Sequence, residues 1–150
     1  MTDVLPANLT DNRSMTTVDK ARILIVEDER TIALTLAQAF RRAPDNRLSV
    51  DVCYTASEAL ALLPTQTFQL VLCDLRLPGM SGLELIAQIR HTYPTTRTIL
   101  MTGFGSPEIE AKAKVLTDAY LAKPFEMADM LKIVQELILK PFPIPVIKPS

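Results

Sequence analysis

Five polar side chains follow short apolar runs of the sequence, at the points where buried strands would end. They are Glu27, Asp28, Asp74, Thr102 and Lys123. In an open parallel sheet the carboxyl ends of the strands meet at one edge, and ligands bind outside that edge near a topological switch point. Three carboxylates, a hydroxyl and an ammonium gathered there would suit chemistry with a divalent cation and a phosphoryl group.

Each of these side chains has a role that follows from its functional group. Adjacent carboxylates disfavour joint ionisation, and a divalent cation relieves this cost; oxygen ligands with retained waters are what Mg²⁺ prefers. Asp74 is a candidate nucleophile, because an aspartate can form an acyl phosphate. Lys123 can neutralise a phosphoryl oxygen and Thr102 can donate a hydrogen bond to another, which is the positioning and charge stabilisation that phosphoryl transfer needs.

The elements that must position these residues alternate between strand and helix. Apolar runs predict five strands, and helical periodicity predicts helices between and after them. The spacing predicts strands at Arg22–Val26, Leu48–Cys53, Phe68–Cys73, Arg97–Met101 and Ala119–Ala122, and helices that include Thr31–Ala43, Ser57–Leu63 with Ser57 as the cap, a stretch with Leu83, Ile86 and Ile89, a weaker one capped by Ser106, and Met127–Lys140.

This alternation predicts an α/β fold in a single domain. Strands that alternate with helices form a parallel sheet with right-handed crossovers and helices on both faces. Five units fit a flavodoxin-like (βα)5 doubly wound sheet with strand order 2-1-3-4-5. In that order strands 1, 3, 4 and 5 are contiguous, and these are the strands that end in the five polar residues.

Composition limits the function classes. The chain has 150 residues, of which 48% are hydrophobic, and its net charge is −1. That charge gives no long-range attraction to nucleic acid or to an anionic membrane, and no apolar run approaches a membrane span. Without a signal-peptide pattern the expected location is the cytoplasm. We expect a disordered segment over 1–20, a folded domain over 21–140 and a Pro-rich tail over 141–150.

The two cysteines, Cys53 and Cys73, are expected to be buried thiols in strands 2 and 3. In the predicted order strand 1 separates them by two inter-strand spacings of about 4.8 Å. A disulfide requires Cα atoms within about 7 Å, so we expect none.

The order and spacing of the polar motifs resemble the receiver domain of bacterial two-component response regulators. The resemblance covers about residues 21–140 and lies in Glu27-Asp28, Asp74 followed by Leu77-Pro78-Gly79-Met80-Ser81-Gly82, Thr102, and Tyr120-Leu121-Ala122-Lys123-Pro124. The resemblance implies a signalling switch that is not a turnover enzyme. Its output would be protein binding through the face of the fourth helix, fifth strand and last helix, with no direct binding to nucleic acid or membrane.

The resemblance also implies a role for each site residue. Asp74 would accept a phosphoryl group from a sensor histidine kinase or a phosphotransfer protein. Asp28, Asp74 and the backbone carbonyl of Arg76 would ligate Mg²⁺, and Glu27 would help through water. Thr102 and Tyr120 would be the switch pair, Lys123 would contact the phosphoryl group, and the bond to Pro124 would be cis. The protein would be a monomer or a phosphorylation-dependent dimer.

One segment departs from the family pattern. Leu116-Thr117-Asp118 stands where the family has a small stretch such as Gly-Ala. The fourth helix therefore lacks a glycine terminator, and its apolar stripe is poor. We hypothesise that this helix is short or mobile.

Three other functions are alternatives to a stand-alone signalling switch. The chain could be the receiver portion of a longer regulator with a missing effector domain. An aspartyl-phosphate phosphatase or phosphotransferase would need a second Asp two residues after the nucleophile, where this chain has Arg76. A nucleotide- or flavin-binding domain would need a glycine-rich loop after the first strand, where Glu27-Asp28-Glu29-Arg30 lies instead.

Overall fold

The structure is a computed structural model that describes residues 20–43, 47–103 and 105–139. The strands are β1 (Ala21–Val26), β2 (Leu48–Cys53), β3 (Leu70–Asp74), β4 (Arg97–Thr102) and β5 (Ala119–Ala122). The helices are α1 (Arg30–Arg41), α2 (Ala56–Leu62), α3 (Gly82–Thr92), α4 (Pro107–Leu116) and α5 (Met127–Leu139), and a 3₁₀ turn (Leu63–Thr65) follows α2.

The five strands form a single parallel sheet in the order β2-β1-β3-β4-β5. This confirms the predicted (βα)5 topology. The expected disordered segment and Pro-rich tail lie outside the described residues, apart from Lys20, and stay predictions.

Buried side chains lie on both faces of the sheet, as a doubly wound fold requires. Residues alternate between the faces because successive strand side chains point in opposite directions. On one face α1 and α5 pack over Ile25, Leu72 and Met101. On the other face α2, α3 and α4 pack over Leu24, Val71 and Leu100. Such two-sided burial explains why β1 and β3 are almost wholly aliphatic.

The start of α2 corrects one prediction. Ser57 lies inside the helix, and Thr55 is the cap: its side-chain oxygen accepts a hydrogen bond from the Glu58 N–H at 3.0 Å. Both residues are good caps, so local sequence does not separate them. The end of β2 at Cys53 places Thr55 in extended backbone, with φ −139° and ψ 158°, and this conformation makes Thr55 the cap.

The start of α3 lies directly against the end of β3. Ser81 and Glu84 form a reciprocal capping box, with hydrogen bonds of 3.2 and 3.1 Å. The Gly82 N–H donates to the Leu75 carbonyl at 2.7 Å. A Cβ at position 82 would overlap the backbone carbonyl of Asp74. Glycine at this position therefore allows the helix to lie close behind Asp74.

Both cysteines are buried free thiols. Val26 of β1 is the register partner of Cys53 on one side and of Cys73 on the other. The intervening strand separates the two thiols, which confirms the predicted lack of a disulfide between them.

Candidate functional site

The three carboxylates meet at the carboxyl ends of β1 and β3. Val26 and Cys73 are register partners, so the residues that follow them, Glu27 and Asp74, come together at the sheet edge. One oxygen from each of Glu27, Asp28 and Asp74 lies within 4.8 Å of the other two. Glu27 is 1% exposed and Asp74 is 7% exposed, whereas Asp28 is open to solvent.

Lys123 neutralises two of these carboxylates. Its Nζ lies 2.9 Å from Asp74 Oδ1 and 3.0 Å from Glu27 Oε1. The Lys123 N–H also donates to the Thr102 carbonyl at 2.8 Å, which fixes the backbone just after β5. The peptide bond to Pro124 is cis, the isomer that the resemblance implies.

Backbone donors bind the other oxygens of the buried carboxylates. Glu27 Oε2 accepts from the Glu29 N–H, and Asp74 Oδ2 accepts from the Arg76 N–H, both at 3.1 Å. Each donor lies two residues beyond its acceptor, in the loop that follows the strand. Both side chains are therefore held in fixed orientations, since each makes a backbone bond as well as the ion pair with Lys123.

The pKa values of Glu27 and Lys123 are both shifted by this arrangement. Burial raises the pKa of Glu27, and the nearby charge of Asp74 raises it further, against the opposing effect of Lys123 and the Glu29 amide. Burial lowers the pKa of Lys123, but its hydrogen bonds to Asp74 and Glu27 outweigh burial, so that its pKa is raised. Lys123 thus remains a cation, whereas desolvation is the main cause of the shift at Glu27.

The donor set fits Mg²⁺. The carboxylates of Glu27, Asp28 and Asp74 are hard oxygen ligands close enough to share one ion, and the exposure of Asp28 leaves room for retained waters. In the structure the N–H of Arg76 is a donor to Asp74. The role assigned to the Arg76 carbonyl stays a prediction.

Thr102 and Tyr120 lie next to each other beside this cluster. Thr102 is the last residue of β4 and is 2% exposed, and Tyr120 is half-buried in β5 opposite Leu100. A Cβ built on Gly105 would clash with the Tyr120 hydroxyl, and it would lie 3.7 Å from the Thr102 methyl carbon. The structure therefore joins Gly105 to the predicted pair.

Sequence reasoning missed the importance of Gly82 and Gly105. Neither has the positive φ that makes a glycine recognisable in a turn; in this structure Gly79 has it, with φ 83°. Steric crowding favours glycine at both positions. A Cβ at position 82 would meet the Asp74 carbonyl, and a Cβ at position 105 would meet the Tyr120 hydroxyl. The sequence signals were the place of Gly82 at the end of the Leu77–Gly82 motif and the place of Gly105 in the segment after β4.

Among the described residues, no helix is both long enough and apolar enough to span a membrane.

Comparison with known families identifies the domain. The family model described as "Response regulator receiver domain" matches residues 23–135. The chain belongs to the response regulator receiver family. Receiver domains of this family are signalling switches that interact with sensor kinases or phosphotransfer proteins. The match spans every strand of the sheet except the first two residues of β1, so the family assignment covers the entire site.

Curated relatives agree with this assignment. The chain is 34% identical over 125 residues to the response regulator protein FleR of Pseudomonas aeruginosa, covering 82% of this chain and 26% of FleR. It is 36% identical over 118 residues to the regulatory protein VanRB of Enterococcus faecalis, covering 78% of this chain and 52% of VanRB. The chain thus spans about half of one relative and about a quarter of the other.

Solved structures agree as well. A CheY-like receiver domain protein from Methanospirillum hungatei superposes with a TM-score of 0.73 at 32% identity, covering 79% of this chain and 93% of that one. The signal receiver domain of an HD domain-containing protein from Pseudomonas fluorescens gives a TM-score of 0.74 at 30% identity, covering 79% and 94%.

Proposed function

We propose that this receiver is a switch controlled by phosphorylation of Asp74. The observation that carries the proposal is the contact of Asp74 Oδ1 with Lys123 Nζ, at 2.9 Å, inside a group of three carboxylates. This places a nucleophilic oxygen beside a fixed cation that can receive the charge of an incoming phosphoryl group.

Transfer of the phosphoryl group to Asp74 needs no reactant besides the phosphohistidine and a proton from solvent. An Asp74 carboxylate oxygen attacks the phosphorus of a phosphohistidine on a sensor kinase or phosphotransfer protein. A phosphorus–oxygen bond forms, the phosphorus–nitrogen bond breaks, and the imidazole takes up a proton from solvent. Lys123 stays protonated throughout, because its raised pKa keeps it a cation. Thr102 is assigned to a hydrogen bond with a phosphoryl oxygen, and Tyr120 to the inward movement that accompanies it.

Mg²⁺ bound by Asp28, Asp74 and the Arg76 carbonyl, with help from Glu27 through water, would supply charge neutralisation for the phosphoryl oxygens. The chain's own part is to hold these ligands in place. The Glu29 and Arg76 amides fix the orientation of Glu27 and Asp74, each through a bond of 3.1 Å.

A turnover phosphatase or phosphotransferase is disfavoured by the residue two positions after Asp74. That residue is Arg76, and a guanidinium cannot give up a proton in a protein. It therefore cannot act as the acid and base of repeated turnover. We assign this chain to the switches and not to the enzymes.

The output is assigned to protein binding through the α4-β5-α5 face, by a monomer or a phosphorylation-dependent dimer and without direct nucleic-acid contact. Val115 on α4, one of the three elements of this face, is an apolar side chain that is 75% exposed. The curated relatives are longer than this chain, so the alternative is that it is the receiver portion of a longer regulator.

The first test is phosphorylation by acetyl phosphate with Mg²⁺, followed by intact-mass analysis. We expect the added mass of one phosphoryl group on the natural chain and none on Asp74→Asn. Asp129→Asn is the matched control, because Asp129 is exposed in the first turn of α5 and should label normally. Circular dichroism checks that both variants fold, and equal labelling of a folded Asp74→Asn variant would refute the assignment.

The second test separates accepting the phosphoryl group from responding to it. For Lys123→Ala we expect labelling to persist while the amide chemical-shift response in β4 and β5 is lost, because the cation that contacts Asp74 is removed. Lys132→Ala, an exposed lysine of α5, is the control and should respond fully. A phosphorylated Lys123→Ala variant whose β4 and β5 amide signals shift as in the natural chain would contradict this role.

A further inference from the structure

A groove lies at the edge of the sheet opposite the phosphorylation site. It is formed by the start of β1, the start of β2, the end of α1 and the last turn of α5, and its volume is about 180 Å³. Most of its lining is apolar: Ala21, Ala43, Leu48, Ile138 and Leu139. The rim carries two polar side chains, Arg47 and Gln135.

The size of the groove selects the kind of occupant. Small-molecule sites in proteins are usually about 300–1,000 Å³ in volume. This groove is smaller and is suited to one large apolar side chain. Leu139 in its wall remains 76% exposed, so apolar surface is available beside the groove.

We propose that the groove is the docking site of the chain's own C-terminal segment, residues 140–150, with Phe142 as the inserted side chain. The segment lies outside the described residues, and the helix that leads into it ends at Leu139 in the groove wall. Phe142 follows three residues later, within about 10 Å of extended chain. Its side chain therefore reaches the groove without crossing either face of the sheet.

The composition of the segment matches the groove. It reads Lys-Pro-Phe-Pro-Ile-Pro-Val-Ile-Lys-Pro-Ser, so prolines alternate with apolar residues from Pro141 to Val146. Prolines have no N–H that would need a partner, and their carbonyls still accept hydrogen bonds. Arg47 and Gln135 on the rim are donors for such carbonyls. Residues 11–19, which precede β1 in the sequence, are mostly polar and match an apolar groove poorly.

This docking would fix the direction in which the chain leaves the receiver after α5. The helix α5 belongs to the face assigned to output, so a segment bound behind its last turn would hold that turn against the sheet. The inference concerns the sheet edge remote from Asp74 and does not depend on phosphorylation.

The test uses a nitroxide label on the full-length chain. Val146→Cys introduces an accessible thiol, while Cys53 and Cys73 are buried and do not compete for the reagent. We expect the methyl signals of Leu48 and Ile138, which line the groove, to lose most of their intensity. The methyl signals of Leu83, on the opposite face of the sheet, should keep theirs. Phe142→Ala in the labelled chain should restore the groove signals, and Ile147→Ala, as the matched control, should not.

Each other occupant gives a different result that would overturn the proposal. If a second copy supplied the segment, a mixed sample would reveal it. The groove signals of isotope-labelled chain without nitroxide would then broaden when nitroxide-labelled chain without isotope labelling is added. If the N-terminal segment filled the groove, Leu5→Ala would shift the Leu48 methyl signals and Phe142→Ala would not. No broadening at Leu48 and Ile138, or broadening that survives Phe142→Ala, would also exclude docking of Phe142.

Discussion

Among single residues, Glu27 shows most clearly how the site is held together. A buried carboxylate is stable only when its oxygens are hydrogen-bonded and its charge is paired. Glu27 is 1% exposed, and its two oxygens bind Lys123 Nζ and the Glu29 N–H. Glu27 is therefore held in one orientation and is not free to move onto a metal ion. This agrees with the proposal that it contacts Mg²⁺ through water.

Gly105 leads to a prediction about the switch pair. A methyl group at position 105 would clash with the Tyr120 hydroxyl, so Gly105→Ala should displace that ring. Overpacking costs about 1–3 kcal/mol where the neighbour is held in place. The contacted atom here is the far end of a half-buried side chain, so we expect a large change in the aromatic NMR signals of Tyr120 and a loss in the free energy of unfolding of about 1 kcal/mol or less.

Gly103→Ala is the matched control for this prediction. A Cβ there would meet Lys123 Cβ at 3.9 Å, an ordinary contact. If Gly103→Ala and Gly105→Ala move the Tyr120 signals equally, steric contact at position 105 does not position the ring.

At the scale of an element, α4 ends without the glycine that the family usually has there. Thr117 takes over part of that role: its N–H and its hydroxyl both donate to the Ala113 carbonyl, at 2.8 and 2.7 Å. From α3, the Arg90 guanidinium donates to the Leu116 carbonyl at 3.0 Å. The helix extends over ten residues, but Ala113 is the one buried residue recorded in it. Its proposed mobility stays a prediction.

Thr117→Val tests this helix end. The substitution keeps the shape and removes the hydroxyl bond, so we expect a loss of about 1 kcal/mol in the free energy of unfolding. Amide exchange should accelerate in Pro107–Leu116 more than in Met127–Leu139. Thr35→Val is the control, because the Thr35 hydroxyl makes a similar 2.7 Å bond to Thr31 but is exposed. Exchange in α4 that is as slow as in α5 before any substitution would contradict the proposed mobility.

At the scale of the whole molecule, the packing of helices on the sheet determines the chemistry of the two thiols. Cys53 lies in the edge strand β2 and Cys73 in the inner strand β3, and both are buried in the core on the face covered by α2, α3 and α4. Burial raises the pKa of Cys53 from its usual 9.0 to about 11, with smaller contributions from Glu58 and Asp51. Burial also strongly raises the pKa of Cys73.

These shifts predict that the folded protein resists alkylation. At pH 8 the rise from 9.0 to about 11 lowers the thiolate fraction of Cys53 about a hundredfold, and the thiolate is the reactive form. The folded state favours the neutral thiol of Cys53. Its contribution to the free energy of unfolding is therefore fully present below about pH 9 and is lost as the pH rises through about 11. Mass spectrometry after iodoacetamide treatment should show no labels without urea and two labels in urea.

A control variant makes this measurement decisive. Val115→Cys places a thiol at a position that is 75% exposed, and it should label rapidly in the folded protein. Rapid labelling of Cys53 or Cys73 in the folded natural chain would show that the sheet opens far more readily than its packing implies.

Much of the fold could be predicted because it depends on local periodicity. Two-sided burial makes β1 and β3 continuously apolar, and the amphipathic pattern of α5 is complete within its own residues. Boundaries were less accurate: Thr55 and Ser57 are equivalent as caps by sequence, and only the end of β2 separates them. Gly82 was visible as part of a motif, but its contact with the Asp74 carbonyl depends on how α3 packs.

The (βα)5 topology and the set of polar residues at the strand ends could both be predicted from the amino-acid sequence. Both follow from repeating local patterns and from the rule that the ends of parallel strands share an edge. Two contacts became visible in the folded chain: Lys123 binds Glu27 and Asp74 together, across 96 residues in the first case, and Gly105 leaves room for the Tyr120 hydroxyl. Contacts between residues so distant in sequence depend on the register of the strands and the packing of the loops, and no local pattern contains that information.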